Sequence, residues 1–173
     1  MSPTYTIPIS GLKEGHHTFD FEIDNKFFEQ FEDSEVKEGS LIANVEMDKR
    51  STHLDLVIKV SGSVKVSCDR CLEIFSQPVA SDNRLLVKFG KSMEDIDPDI
   101  LSLPADAFEL DLKQQIYEFI MLALPIKRVH PVDKNGKSTC DPVMLKKLEE
   151  LIIEEEKDND PRWDELKKLM NDN

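Results

Sequence analysis

The sequence predicts an α+β fold: an antiparallel β-rich body with a packed central helix and C-terminal helices. Two patterns carry that prediction. In the first half apolar residues recur at every second position, because successive side chains of a strand point to opposite faces. From about residue 111 they recur every three or four positions, the period of a helix with one buried face. With 173 residues, 39% of them hydrophobic, the chain can furnish one core and a short helical tail.

The elements follow in order. Tyr5-Thr6-Ile7-Pro8-Ile9 and Phe19-Asp20-Phe21-Glu22-Ile23 read as strands, and Phe27-Phe28-Glu29-Gln30-Phe31 as a short helix between strands. Ile42 to Met47 is a further strand. Leu54, Leu56, Ile58 and Val60 alternate with other residues, as do Val64, Val66 and Cys68 after Ser61-Gly62-Ser63, which predicts a hairpin turning at the glycine. Leu85-Leu86-Val87-Lys88-Phe89 is the last strand of this half. Asp111 can cap a helix from about Leu112 to Leu124, with Leu112, Ile116, Phe119, Ile120 and Ala123 on one face and Pro125 ending it. Asp141-Pro142 and Asp160-Pro161 each put a capping carboxylate before a proline suited to a first helical turn. The two helices they start present Leu145, Leu148, Leu151 and Ile152, then Trp163, Leu166 and Met170. The acidic run from Glu154 to Asp160 separates them, so the expected division is a body over 1–156 and a helical tail over 157–173.

Composition narrows the function. The longest apolar run, Phe119 to Leu124, is far short of the roughly 20 residues that cross a bilayer, and no cationic stretch precedes an apolar one at the N-terminus. A soluble, cytoplasmic protein without a membrane partner is expected. Three cysteines cannot all pair within one chain, which argues for a reducing compartment. The 6 glycines include no phosphate-cradling loop, and no nucleophile stands with a recognisable base, so no enzyme activity is expected. His16 and His17, adjacent on a strand, point to opposite faces rather than to one ligand. His53, in a turn, reads as a surface residue.

The formal charge of −13 is unevenly distributed. Residues 63–92 carry 5 basic and 3 acidic groups, and residues 119–148 carry 6 basic and 2 acidic, while the rest of the chain is acidic. Those two basic windows hold all the cysteines. Lys65, Arg70, Lys127 and Arg128 are therefore candidate phosphate contacts, since Lys and Arg dominate nucleic-acid affinity. The acidic run Glu94-Asp95-Ile96-Asp97-Pro98-Asp99 suits a basic protein partner or merely a soluble surface.

Cys68-Asp69-Arg70-Cys71 is a C-x-x-C pair, whose tight turn can aim two thiolates at one metal. Cys140 offers a third thiolate and His130 a fourth donor, both on loops, which makes zinc a candidate cofactor. Nine residues separate His130 from Cys140, an uncommon finger spacing. The plainer alternative is three reduced cysteines packed as small hydrophobes beside a loop histidine. Thioredoxin-like exchange needs a C-x-x-C at a helix N-terminus, whereas this one follows a strand and precedes Leu72-Glu73-Ile74-Phe75.

Three separated motifs carry a family resemblance. Val64-Lys65-Val66-Ser67-Cys68-Asp69-Arg70-Cys71-Leu72, then Leu122-Ala123-Leu124-Pro125-Ile126 leading to Val129-His130, then Asp160-Pro161-Arg162-Trp163 with Leu166 to Leu169, resemble the YceD-like proteins in that order. The resemblance spans roughly residues 40–170. It implies a role in accumulation of large-subunit ribosomal RNA without established catalysis, with that RNA or its precursor particle as partner. Cys68, Cys71, His130 and Cys140 are the family-like constellation, beside the Pro125 to His130 segment. An adaptor binding a basic ribosomal protein is the competing expectation, and thiol redox chemistry a third.

Overall fold

The computed structural model describes residues 4–90 and 100–151. Its elements in chain order are β1 (Thr6–Pro8), β2 (Gly15–Ile23), α1 (Asn25–Phe28), β3 (Gly39–Lys49), β4 (His53–Ser67), β5 (Ile74–Phe89), β6 (Ile100–Leu103), β7 (Glu109–Asp111), α2 (Lys113–Leu122) and α3 (Pro142–Leu151). Five strands form one sheet in the order β2-β3-β4-β5-β6, antiparallel except for the parallel β5–β6 edge, and β1 pairs with β7 in a separate two-stranded ribbon. The α+β, β-rich architecture expected from the two periodicities is the observed one.

Alternation builds the core. Leu41, Ala43, Val45 and Met47 on β3, and Leu54, Leu56, Ile58 and Val60 on β4, all face inward and are buried. The α2 helix packs on β4 and β5 and buries Leu112, Ile116 and Ile120 completely. Each such side chain contributes about 1.5–3 kcal/mol of transfer free energy. The N-cap of α2 is Leu112, whose side chain makes no capping bond, one residue after the expected Asp111; the Asp111 carboxylate accepts the Lys113 N–H at 2.9 Å in the turn that leads into the helix. Asp24 is the N-cap of α1 and accepts the Lys26 N–H at 3.0 Å, and Phe27 and Phe28 are fully buried behind it. Phe31 lies just past this helix and stacks on Tyr117 of α2 with ring centroids 3.9 Å apart.

The hairpin expected at Ser61-Gly62-Ser63 does not form. Strand β4 runs unbroken from His53 to Ser67, paired throughout with β5 and over Leu54 to Val64 with β3. The apolar phase was already continuous: every even position from 54 to 68 except Gly62 is buried. Gly62 occupies that phase because nothing larger fits. A Cβ there would stand 2.3 Å from the Ser40 carbonyl oxygen and 2.6 Å from the Leu41 Cα, and its φ of +149° disfavours any side chain. The glycine marks a close approach of two strands.

Strand β5 also starts earlier than the Leu85 expected from pattern. Its inward positions include Gln77, Ser81 and Asn83, so polar residues interrupt the apolar phase and hide the strand. The α3 helix begins where Asp141-Pro142 places it, with Asp141 Oδ1 accepting the Val143 N–H at 3.0 Å. Met144 and Leu145 pack against the core while Leu148 and Leu151 stay exposed. The Trp163 helix, the 157–173 tail with its boundary, and the acidic runs Glu94 to Asp99 and Glu154 to Asp160 lie outside the described residues.

A candidate metal centre between two hairpins

The long β4–β5 ladder decides where the C-x-x-C pair sits. Ser67 pairs with Ile74, so residues 68–73 form the turn that closes the hairpin. The Leu72 N–H donates to the Cys68 carbonyl and the Cys68 N–H to the Glu73 carbonyl, both at 2.9 Å. Leu72 takes a left-handed φ of 63°, which costs a residue with a Cβ about 1–2 kcal/mol and which the ladder beneath it must hold. The Arg70 N–H points at the Cys68 sulfur, 3.5 Å away.

The second donor pair sits on a hairpin of its own. Val132 and Ser138 form an antiparallel bridge, and the Asp133 carboxylate accepts the N–H groups of Asn135 and Lys137, both at 2.8 Å. Thr139 adds a bond from its hydroxyl to the Pro131 carbonyl at 2.7 Å. The nine residues between His130 and Cys140 are thus a closed loop whose ends are neighbours. This explains a spacing that looks unlike a finger in sequence.

The tip of the first hairpin meets the base of the second. Donor atoms of Cys68, Cys71, His130 and Cys140 all lie within 4.8 Å of one another. The Cys68 and Cys140 sulfurs are 3.7 Å apart, and His130 Nδ1 is 3.4 Å from the Cys71 sulfur and 3.7 Å from that of Cys140. Metal–sulfur bonds of about 2.3 Å and metal–nitrogen bonds of about 2.0–2.1 Å give a tetrahedron with S–S edges of about 3.8 Å and S–N edges of about 3.6 Å. These three separations are close to those edges and the rest lie within 4.8 Å, so the four residues could hold a metal ion. All three cysteines are free thiols and buried.

The two neighbouring thiols of the C-x-x-C turn are shifted in opposite directions. Burial pushes the Cys68 thiol up, but the backbone N–H groups of Cys71, Arg70 and His130 and the His130 ring outweigh it and bring the group from 9.0 to about 6. Cys71 moves the other way: burial raises it, and the Cys68 and Cys140 sulfurs reinforce the rise against the backbone of Asp141 and Glu73. Three thiolates this close repel one another unless a cation lies among them. The Phe75 ring, 4.7 Å from that of His130, packs on the imidazole whose Nδ1 faces the sulfurs.

Asp69 is the residue that sequence reasoning missed. Its N–H donates to the Arg128 carbonyl at 2.7 Å, and its carboxylate Oδ2 accepts the Arg128 N–H at 2.6 Å. These bonds tie the first tip to the strand of chain leading into His130. The only sequence signal for it was its place inside the C-x-x-C turn.

The candidate basic residues divide. Arg70 on the turn and Lys127 before the second hairpin are exposed, and Lys65 is exposed on β4 three residues before Cys68. Arg128 is instead ion-paired with Glu35 at 2.8 Å, so much of its charge is already answered. Away from the centre, His16 and His17 take opposite faces of β2, and His53 opens β4 rather than lying in a turn. No described helix is long and apolar enough to cross a membrane.

The sequence model of one protein family, described as large ribosomal RNA subunit accumulation protein YceD, matches residues 56–170. No curated protein and no solved structure matches the chain significantly.

Proposed function

Because this chain belongs to the YceD family, we propose that it supports accumulation of large-subunit ribosomal RNA as a non-enzymatic factor, binding that RNA or its assembling particle through the cysteine-bearing face. The family supports the role in RNA accumulation, and one structural observation supports the face. Two basic windows of an otherwise acidic chain meet at the four-donor cluster, with Arg70 and Lys127 exposed on the loops that carry it. Clustered cations on a protein of net charge −13 favour phosphate locally while the rest of the surface repels it.

Zinc is the ion we assign to Cys68, Cys71, His130 and Cys140, because three thiolates and an imidazole in a tetrahedron suit its softness and geometry. Bound there it would supply a structural cross-link, since four protein donors complete its coordination. A cytoplasmic location belongs to the same proposal, as free buried thiols persist where the medium is reducing. Thiol exchange is disfavoured because Cys68 and Cys71 are buried in a turn between strands.

Co-sedimentation with assembling large subunits tests the face. Arg70→Gln/Lys127→Gln should be retained several-fold less than the parent chain at matched salt and folding stability. Equal retention would move the contact elsewhere on the protein.

A second reading has its own observation. The solvent face of the large sheet carries Asp20, Glu22, Glu46, Asp48, Asp55 and Asp82 against Lys59, Lys65, Arg84 and Lys88 across β2 to β5, with the acidic groups concentrated on β2 and β3. Such a field suits an adaptor for a basic ribosomal protein. Particle binding that survives loss of Arg70 and Lys127 but fails on neutralising this face would favour it.

A further inference from the structure

The nine residues between His130 and Cys140 form a finger with no core of its own. Pro131 to Lys137 and Thr139 are exposed and Ser138 is half-buried, so no side chain of the segment anchors it in the protein. Main-chain bonds shape it: the Val132–Ser138 bridge, the Asp133 turn, and Gly136 at φ +77° donating to the Asp133 carbonyl at 3.0 Å. A two-stranded fragment this short is marginal in water. Its orientation is therefore set at its base, where both flanking residues are donors of the cluster.

The finger's charge is also arranged. Asp133 directs its carboxylate into the turn, which leaves Lys134 and Lys137 exposed with no ion pair among the described residues. The segment Pro131 to Thr139 has no aromatic ring and no guanidinium to read bases. Two ammonium groups on a polar loop suit phosphate oxygens as point charges, independent of sequence.

We propose that this finger contacts the RNA phosphate backbone through Lys134 and Lys137, and that metal held by Cys68, Cys71, His130 and Cys140 fixes its orientation. The inference rests on the RNA-binding reading above and extends it from the base of the finger to its tip. Removing metal would release His130 and Cys140 from the first tip, and the lysines would then pay an ordering cost on binding.

The test has two arms. In the first, zinc-loaded full-length protein carrying Lys134→Gln/Lys137→Gln is titrated with large-subunit ribosomal RNA transcribed in vitro. Two fewer phosphate contacts should shrink the affinity drop between 50 and 200 mM salt by about tenfold. Lys13→Gln/Lys88→Gln changes net charge equally at the opposite end of the sheet and should behave as the parent. If the parent binds and both variants match it, the finger is not the contact, while the RNA reading stands. If the parent binds no ribosomal RNA, that reading falls, and the finger contact with it. In the second arm, trypsin should cut after Lys134 and Lys137 at least several-fold faster in chelator than in zinc. Equal rates would overturn the role of the metal whatever the RNA result.

Discussion

Asp69 and Arg128, 59 residues apart in sequence, bind each other twice: the Asp69 N–H to the Arg128 carbonyl, and the Arg128 N–H to the Asp69 carboxylate. The pair ties the tip of the first hairpin to the base of the second independently of any metal. Asp69→Ala removes the carboxylate acceptor and should cost about 1–2 kcal/mol, at the lower end of charge-assisted bonds because the site is exposed. Asp69→Asn keeps an acceptor and should lose less. Metal affinity, read by competition with a chelating indicator, should fall in the same order. An Asp69→Ala protein that melts and binds metal like the parent would show the tie to be incidental.

Cys68→Ser should abolish stoichiometric zinc binding but leave the sheet folded, because the strands bury their own apolar core and the cluster lies at one end. Amide exchange should accelerate in residues 68–73 and 130–140 while β3 and the middle of β4 keep their protection. Global unfolding on this substitution would mean that the metal carries the fold, as in small zinc modules.

In chelator, Cys68 links stability to pH. Its folded pKa of about 6 lies below the ordinary 9.0, so the unfolded chain binds the extra proton between those values and stability rises with pH across that window. The contribution is complete above about pH 9 and disappears below about pH 6. Cys71, shifted upward, opposes it only as pH passes 9.0. The melting temperature of metal-free protein should therefore climb from pH 6 to 8.5 more steeply than that of Cys68→Ala. Parallel slopes would assign the dependence to other groups.

Gly62→Ala should destabilise by about 2–4 kcal/mol, combining a backbone conformation hostile to a Cβ with overlap against Ser40 and Leu41. Gly11→Ala, with nothing within 4 Å, should be near neutral. Denaturant midpoints compare the two. Similar midpoints would mean that β3 and β4 can separate at low cost.

Glu35→Gln frees the Arg128 guanidinium from its ion pair. If phosphate binds this face, ribosomal RNA affinity at low salt should rise by about two- to fourfold, with a steeper salt dependence. Unchanged binding would place Arg128 outside the contact.

The periodicity of the sequence foretold the α+β class, the Leu112 to Leu124 helix and its buried face, and the start of α3, because a local repeat reports which side of an element must leave water. The same logic, applied without partners, misread Gly62 as a turn and overlooked the first half of β5. A glycine at a close inter-strand approach and one at a turn look alike in one strand. Polar residues at Gln77, Ser81 and Asn83 conceal a strand whose ladder is made by β4.

The four residues that could hold an ion were likewise legible as candidates, since thiol and imidazole chemistry does not depend on the fold. Their convergence was not. It needs the β4–β5 register that puts Cys68 and Cys71 on a tip, the finger that folds His130 back on Cys140, and the Asp69–Arg128 tie between them. Sequence specifies which groups can bind an ion or lose water; hydrogen bonds between distant segments decide which of them share a few ångströms, and those exist only once the chain has folded.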